Sequence, residues 1–183
     1  MRLFSLILFT LWVAFDQWLK VYTVNYVPST PTTVEVIPNL LSFSYAVNKG
    51  AAWSLFWGQI GWLTTLRFSV GLGILIYLLV KKQPFLQRLA LTLIASGAIG
   101  NAIDGYLRDG VVDMLVLHPL SYVYNLIFRG PFPIFNFADV GVVTGAFLFI
   151  ASSFVKETPP EQASISLPSA PETEFNRPPQ DEV

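Results

Sequence analysis

Four stretches of this chain run without a charge for long enough to lie in hydrocarbon: Leu3 to Phe15, extended by Gln17 to Tyr22; about 60–80; Leu89 to Ile103; and Val140 to Val155. In lipid every backbone N–H and C=O must find its partner inside the segment, so such stretches become helices. A bilayer core takes about 20 helical residues at ~1.5 Å each. The first, third and fourth stretches therefore reach across only if each takes in a buried charge. Composition agrees: of 183 residues 53% are hydrophobic and 13% charged, about half the charged share of a water-soluble domain. The expected fold class is an all-α membrane protein, a four-transmembrane-helix bundle over residues 1–156. Residues 157–183, with six prolines and six acids, read as a disordered acidic cytoplasmic tail.

Arg2, then Lys81, Lys82 and Arg88 in a tight loop, then Lys156 mark three short basic segments on one side, which the positive-inside rule makes cytoplasmic. Lys20, Lys49, Arg108 and Arg129 are spread over longer loops on the other side. An even span count puts both termini inside. Arg2 ahead of an apolar run imitates a signal peptide, but no small-x-small site follows and Asp16 interrupts the run, so a retained helix is expected. Between the first two spans, residues 33–37 and Leu41 to Val47, bounded by Pro28, Pro31, Pro38 and Asn48, predict a small β element on the outer side. Ser96, Gly97, Gly100 and Asn101 are small or polar neighbours in the third span, which lets another helix come close. Trp12, Trp18, Trp53, Trp57 and Trp62 fit an outer aromatic belt.

Several chemistries are excluded. There is no cysteine, and the one histidine, His118, followed by Pro119, reads as an outer loop residue, so thiol, Ser-His and multi-His metal chemistry lack material. Residues 1–156 carry ten basic and six acidic groups, scattered along the chain, which argues against a nucleic-acid partner. Carboxylates remain. At ~1.5 Å per residue, Asp16, Asp104 and Asp139 lie roughly 20, 24 and 26 Å from the inner boundary, counted from Leu3, Arg88 and Lys156. Three acids from three helices thus share one layer near the outer edge, with Asp113 nine residues beyond Asp104. Ionisable groups at such depth are costly and usually pair or act.

Each constellation has a plain reading beside the functional one. Asp16 and Lys20 at i, i+4 can form an ion pair, or Lys20 can simply snorkel from a helix end. Asn48-Lys49-Gly50-Ala51-Ala52 has turn chemistry. Gly100-Asn101-x-x-Asp104 sets an amide and a carboxylate one turn apart, or forms a polar helix terminus. Val111-Val112-Asp113 is a short extended piece ending in an acid. Asn136 and Asp139 can cap the fourth span, with capping the default for one of them. Arg67, about two turns into the second span, could pair with a carboxylate, but the plain reading is a snorkelling or structural arginine.

In order, Asp16-Gln-x-x-Lys20, Asn48-x-Gly-Ala-Ala-Trp-Ser54, Gly100-Asn-x-x-Asp104, Val111-Val-Asp113 and Phe132-Pro-x-Phe-Asn136-x-Ala-Asp139 resemble the lipoprotein signal peptidases, the type II signal peptidases of bacteria. The resemblance implies an intramembrane aspartic endopeptidase of the bacterial inner membrane with Asp113 and Asp139 as its catalytic pair. Asn48, Gly50, Asn101, Asp104, Asn136 and Ala138 would line the site, supported by Asp16 and Lys20. It further implies a site near the outer face, membrane-embedded prolipoproteins cut just before a diacylglyceryl-modified cysteine, no metal or cofactor, and inhibition by the cyclic peptide globomycin. Two features depart from the family pattern. Gly105 stands where an arginine usually follows the acid, and Arg108 is expected to take over part of that arginine's substrate contact. The segment from Asp113 to Asp139, through Tyr122, Tyr124 and Arg129, is longer and is expected to enlarge an outer lid.

The mechanism makes sense from the residues as well. Two adjacent carboxylates sharing one proton supply both an activated water and an acid for the leaving amine. The competing readings are a small proton-coupled carrier, whose acids would be staggered through the bilayer as a relay, and an inert helical bundle, which leaves the paired acids unexplained.

Overall fold

The structure, a computed structural model, describes residues 2–50, 56 and 58–154. The tail expected over 157–183, Trp53 and Trp57 of the aromatic belt, and Lys156 lie outside the described residues. In chain order the elements are α1 (Arg2–Tyr26), β1 (Val34–Ile37), β2 (Leu41–Asn48), α2 (Ile60–Val80), α3 (Phe85–Leu107), β3 (Val111–Leu117), α4 (His118–Phe128) and α5 (Phe137–Ser152). Three of these helices, α1, α2 and α3, are long and apolar enough to cross a membrane, while α5 is apolar but has 16 residues. The protein is thus mostly helical and of membrane type, with a three-stranded antiparallel sheet.

Helix α3 is central. It packs against α1, α2 and α5, and 61% of its apolar window is buried against 22% for α1 and α2. Its small and polar residues make this possible, because in lipid helices are held by close packing and internal hydrogen bonds rather than by expulsion of water. At Gly97 a Cβ would run into the Ala138 carbonyl oxygen of α5 and lie 2.7 Å from Val142 Cγ2. Arg88 is not in the loop: it is a buried residue of α3 whose Nη2 donates to the Gln83 carbonyl. The helix begins at Phe85, so only 81–84 connect α2 to α3.

The sheet is larger than expected. It is not confined to the connection between α1 and α2, because β3 adds to it in the order β1-β2-β3. Asp113 is the third residue of a seven-residue strand rather than the end of a short piece. Val112 and Met114 enter a core with Leu19, so by strand alternation Asp113 faces the other side. Ala46 pairs with Asp113 and Asn48 with Val111, which sets the end of β2 beside that carboxylate.

Helix α4 replaces the expected loop. Pro119 stands in its first turn, where proline's missing N–H costs nothing, and His118 Nε2 lies 2.8 Å from Ser42 Oγ. No residue of α4 is fully buried. Trp18 and Trp62 are exposed as a lipid-facing belt requires, but Trp12 stacks on Phe137 at 4.3 Å and belongs to the packing around α5. The close α3–α5 crossing makes a specific prediction. Gly97→Ala is expected to lower the thermal unfolding midpoint in detergent, with overpacking worth ~1–3 kcal/mol. Gly73→Ala, whose Cβ meets nothing within 4 Å, is expected to leave the midpoint unchanged or raise it.

Candidate active site

A buried ion cluster joins the helices where α1 crosses α3. Lys20 Nζ lies 2.8 Å from Asp16 Oδ2 and 2.9 Å from Asp104 Oδ2, with all three side chains fully buried. The i, i+4 pair within α1 is therefore real, and Lys20 does not snorkel. Arg108 Nη1 pairs with Asp104 Oδ1 and also donates to Gln17 Oε1 at 3.1 Å. Two cations thus meet two anions, which is how charge survives out of water. The spare lone pairs of the acids reach other elements: Asp16 Oδ1 accepts from Ala138 N at the start of α5 (2.8 Å), and Asp104 Oδ2 accepts from Val112 N in β3 (3.0 Å).

Those two backbone amides each stand one residue before another acid, Asp139 and Asp113. Lys20 also donates to Asn101 Oδ1 at 3.0 Å, and Asn101 Nδ2 donates to Asp139 Oδ1 at 2.8 Å. Asn136 links the two acids. It caps α5, its Oδ1 accepting from Asp139 N at 2.9 Å and its own N–H donating to Asp139 Oδ2 at 3.2 Å, while its Nδ2 donates to Asp113 Oδ1 at 2.7 Å. Asn48 Nδ2 donates to the other oxygen, Asp113 Oδ2, at 3.2 Å. Both Asn136 and Asp139 therefore take part in the cap, as a reciprocal capping box. Burial, reinforced by the charge of Asp139, pushes the Asp113 carboxyl up to about 7, against hydrogen bonds from Asn136 and Asn48 that favour its ionised form.

Both acids line a cavity of about 450 Å³ together with Asn48, Asn101, Arg67 and an apolar wall that includes Leu120 and Phe135. Gly50 N donates to Asn48 Oδ1 at 2.9 Å, which makes the expected turn and orients that amide. Among the described residues no group of acids and histidines has the arrangement of a metal site.

A family model described as Signal peptidase (SPase) II matches residues 8–155. The chain belongs to the signal peptidase II family. A lipoprotein signal peptidase of Deinococcus radiodurans is 42% identical over 160 residues, covering 87% of this chain and 84% of that protein. One of Microcystis aeruginosa is 36% identical, covering 76% and 84%. Two bacterial membrane enzyme structures obtained by the in meso method superpose with TM-scores of 0.69 and 0.68 at 27% identity, covering 81% and 84% of this chain and 86% and 94% of theirs.

The site residues expected from the signal peptidase II motifs fall into two groups. Asn48, Asn101, Asp113 and Asp139 line the cavity, with Asn136, Ala138 and Gly50 holding them, and Asp16, Lys20 and Asp104 form the cluster behind. Arg108 is the exception. As the C-cap of α3 it lies one turn after Asp104 and folds back on it, so it is not among the cavity-lining residues. Arg67 lines the cavity instead, its Nη2 donating to Gly50 O at 3.0 Å. A lone charge in the apolar run of α2 was the only signal for it. Because Lys20 neutralises two buried acids, Lys20→Met is expected to destabilise the folded state by ~3–5 kcal/mol. Adding Asp104→Asn to Lys20→Met is expected to recover part of the loss, read from unfolding midpoints in detergent.

Proposed function

We propose that this signal peptidase removes the signal peptide from diacylglyceryl-modified prolipoproteins, cutting just before the lipidated cysteine, with Asp113 and Asp139 as the catalytic pair. The observation that carries the reading is Asn136, whose side-chain amide donates to the Asp113 carboxylate and whose backbone N–H donates to that of Asp139, beside a cavity of about 450 Å³ that both acids line. Asp113, with its raised affinity for a proton, is the acid that polarises the scissile carbonyl. Asp139, in the first turn of α5 where the helix dipole favours negative charge, takes the proton from the attacking water. The nitrogen of the tetrahedral intermediate then receives that proton, the C–N bond breaks, and the pair returns to one shared proton.

In this reading α5 is the fourth span, both termini are cytoplasmic and the cavity lies near the periplasmic face of the inner membrane. A signal helix leaves the bilayer there, so its scissile bond meets the pair while its acyl chains stay in lipid. Globomycin, a cyclic peptide, would compete for the same cavity. A proton-coupled carrier is less well supported, since the acids of the helices gather around Lys20 and one cavity instead of forming steps between faces.

Asp113→Asn and Asp139→Asn are each expected to cut prolipoprotein processing by at least ~10²-fold with the thermal midpoint retained. Normal processing by either variant refutes the pair. The step needs a protonated Asp113, whose carboxyl titrates at about 7, so kcat/KM is expected to fall as the pH rises through that value. Asn48→Ala removes a hydrogen bond to the ionised form, raises the pKa and moves the fall to higher pH. A rate that keeps climbing above this pH contradicts the role given to Asp113.

A further inference from the structure

Arg67 is the one lysine or arginine among the cavity-lining residues, and no step above employs it. Its two terminal nitrogens have different surroundings. Nη2 donates to the Gly50 carbonyl at 3.0 Å, whereas Nη1 is buried with no hydrogen-bond partner among the described residues. The charged groups acting on the guanidinium are Asp139 of α5, Asp113 of β3 and Asp104 of α3. Asp104 is already paired with Lys20 of α1 and Arg108. Asp113 and Asp139 take their hydrogen bonds from Asn48, Asn101 and Asn136. A cationic N–H enclosed without an acceptor is costly in a protein at rest. It is well placed for an acceptor that arrives.

The backbone of α3 sets this position. A Cβ on Gly105 would run into Thr64 Oγ1 of α2, so the bare glycine allows α2 to lie close to α3. Thr64 is three residues before Arg67, on the same side of α2. The close approach at Gly105 thus brings Arg67 to the cavity.

Resting on the function proposed above, we infer that Arg67 is a substrate-binding residue: its Nη1, without a partner among the described residues, donates to a carbonyl oxygen of the bound prolipoprotein while Nη2 holds the Gly50 carbonyl, so that one guanidinium clamps substrate and enzyme backbone together. The acceptor is a peptide carbonyl or an ester carbonyl of the diacylglyceryl group, which present the same chemistry. The contact acts on binding, and the positive charge also favours the ionised form of Asp113.

The test uses the purified full chain and a diacylglyceryl-modified prolipoprotein peptide. Arg67→Gln is expected to raise KM about 10- to 100-fold, the value of one hydrogen bond from a charged donor, and to move the alkaline fall of kcat/KM to higher pH. Arg67→Lys is expected to restore the pH profile and part of the affinity, and Arg129→Gln, at an exposed site, to behave as the parent. In the Asp113→Asn background, which does not turn over, Arg67→Gln is expected to raise the Kd of the same peptide by the same factor. A dialkyl ether peptide separates the sources: an unchanged Arg67 effect assigns the peptide carbonyl, and its disappearance assigns the ester. Unchanged KM, Kd and pH profile in Arg67→Gln overturn the inference. So does a loss shared equally by Arg67→Lys and accompanied by a lowered thermal midpoint, which marks a merely structural residue. If the parent chain and Arg129→Gln fail to cleave although the peptide binds through Arg67, the function fails and the contact stands.

Discussion

One ammonium group, Lys20 Nζ, sits fully buried between two aspartates from different helices, and the rest of the site is arranged around it. Burying two carboxylates is costly, and the attraction to Lys20 repays their desolvation only because the contacts are close and the remaining oxygens are satisfied. Asp16 satisfies one oxygen with the first turn of α5, and Asp104 one with β3. The cluster therefore acts as a fixed point from which two backbone segments hang. Each of those segments carries, one residue later, an acid that faces the cavity.

The cavity acids themselves are held differently. Their partners are amides, Asn48, Asn101 and Asn136, not cations. A neutral amide orients a carboxylate through one directed N–H and brings no net charge, unlike a lysine ammonium. The structure separates an ion-paired scaffold from an amide-held pair, with Asn101 reaching between them: its oxygen meets Lys20 and its nitrogen meets Asp139.

Much of this was legible in the sequence because lipid imposes strong local rules. Helix α2 coincides with its apolar run, and the Asp16–Lys20 spacing announced an ion pair within one helix. The motif order led to the family and gathered residues that the fold does bring together. Long-range partners were harder to foresee. Nothing near Asp104 in sequence indicates that Lys20, 84 positions away, neutralises it, or that Arg108 is taken up by Asp104 and so kept from the cavity. Arg67 looked like an isolated charge since its partner, the Gly50 carbonyl, is a backbone atom with no side-chain signature. Helix α4 was hidden by the proline in its first turn, and β3 by an apolar run without alternation, as expected of a strand covered on both faces.

Asn136 performs two tasks with one side chain, closing the first turn of α5 and joining Asp113 to Asp139. Helix ends fray more readily than helix centres, and the amide that resists fraying here is the one that aligns the carboxylates. Unwinding of that single turn would therefore separate the Asp113 and Asp139 carboxylates from their common partner. The alignment of the two acids thus depends on the order of one helix terminus as well as on the packing of the helices.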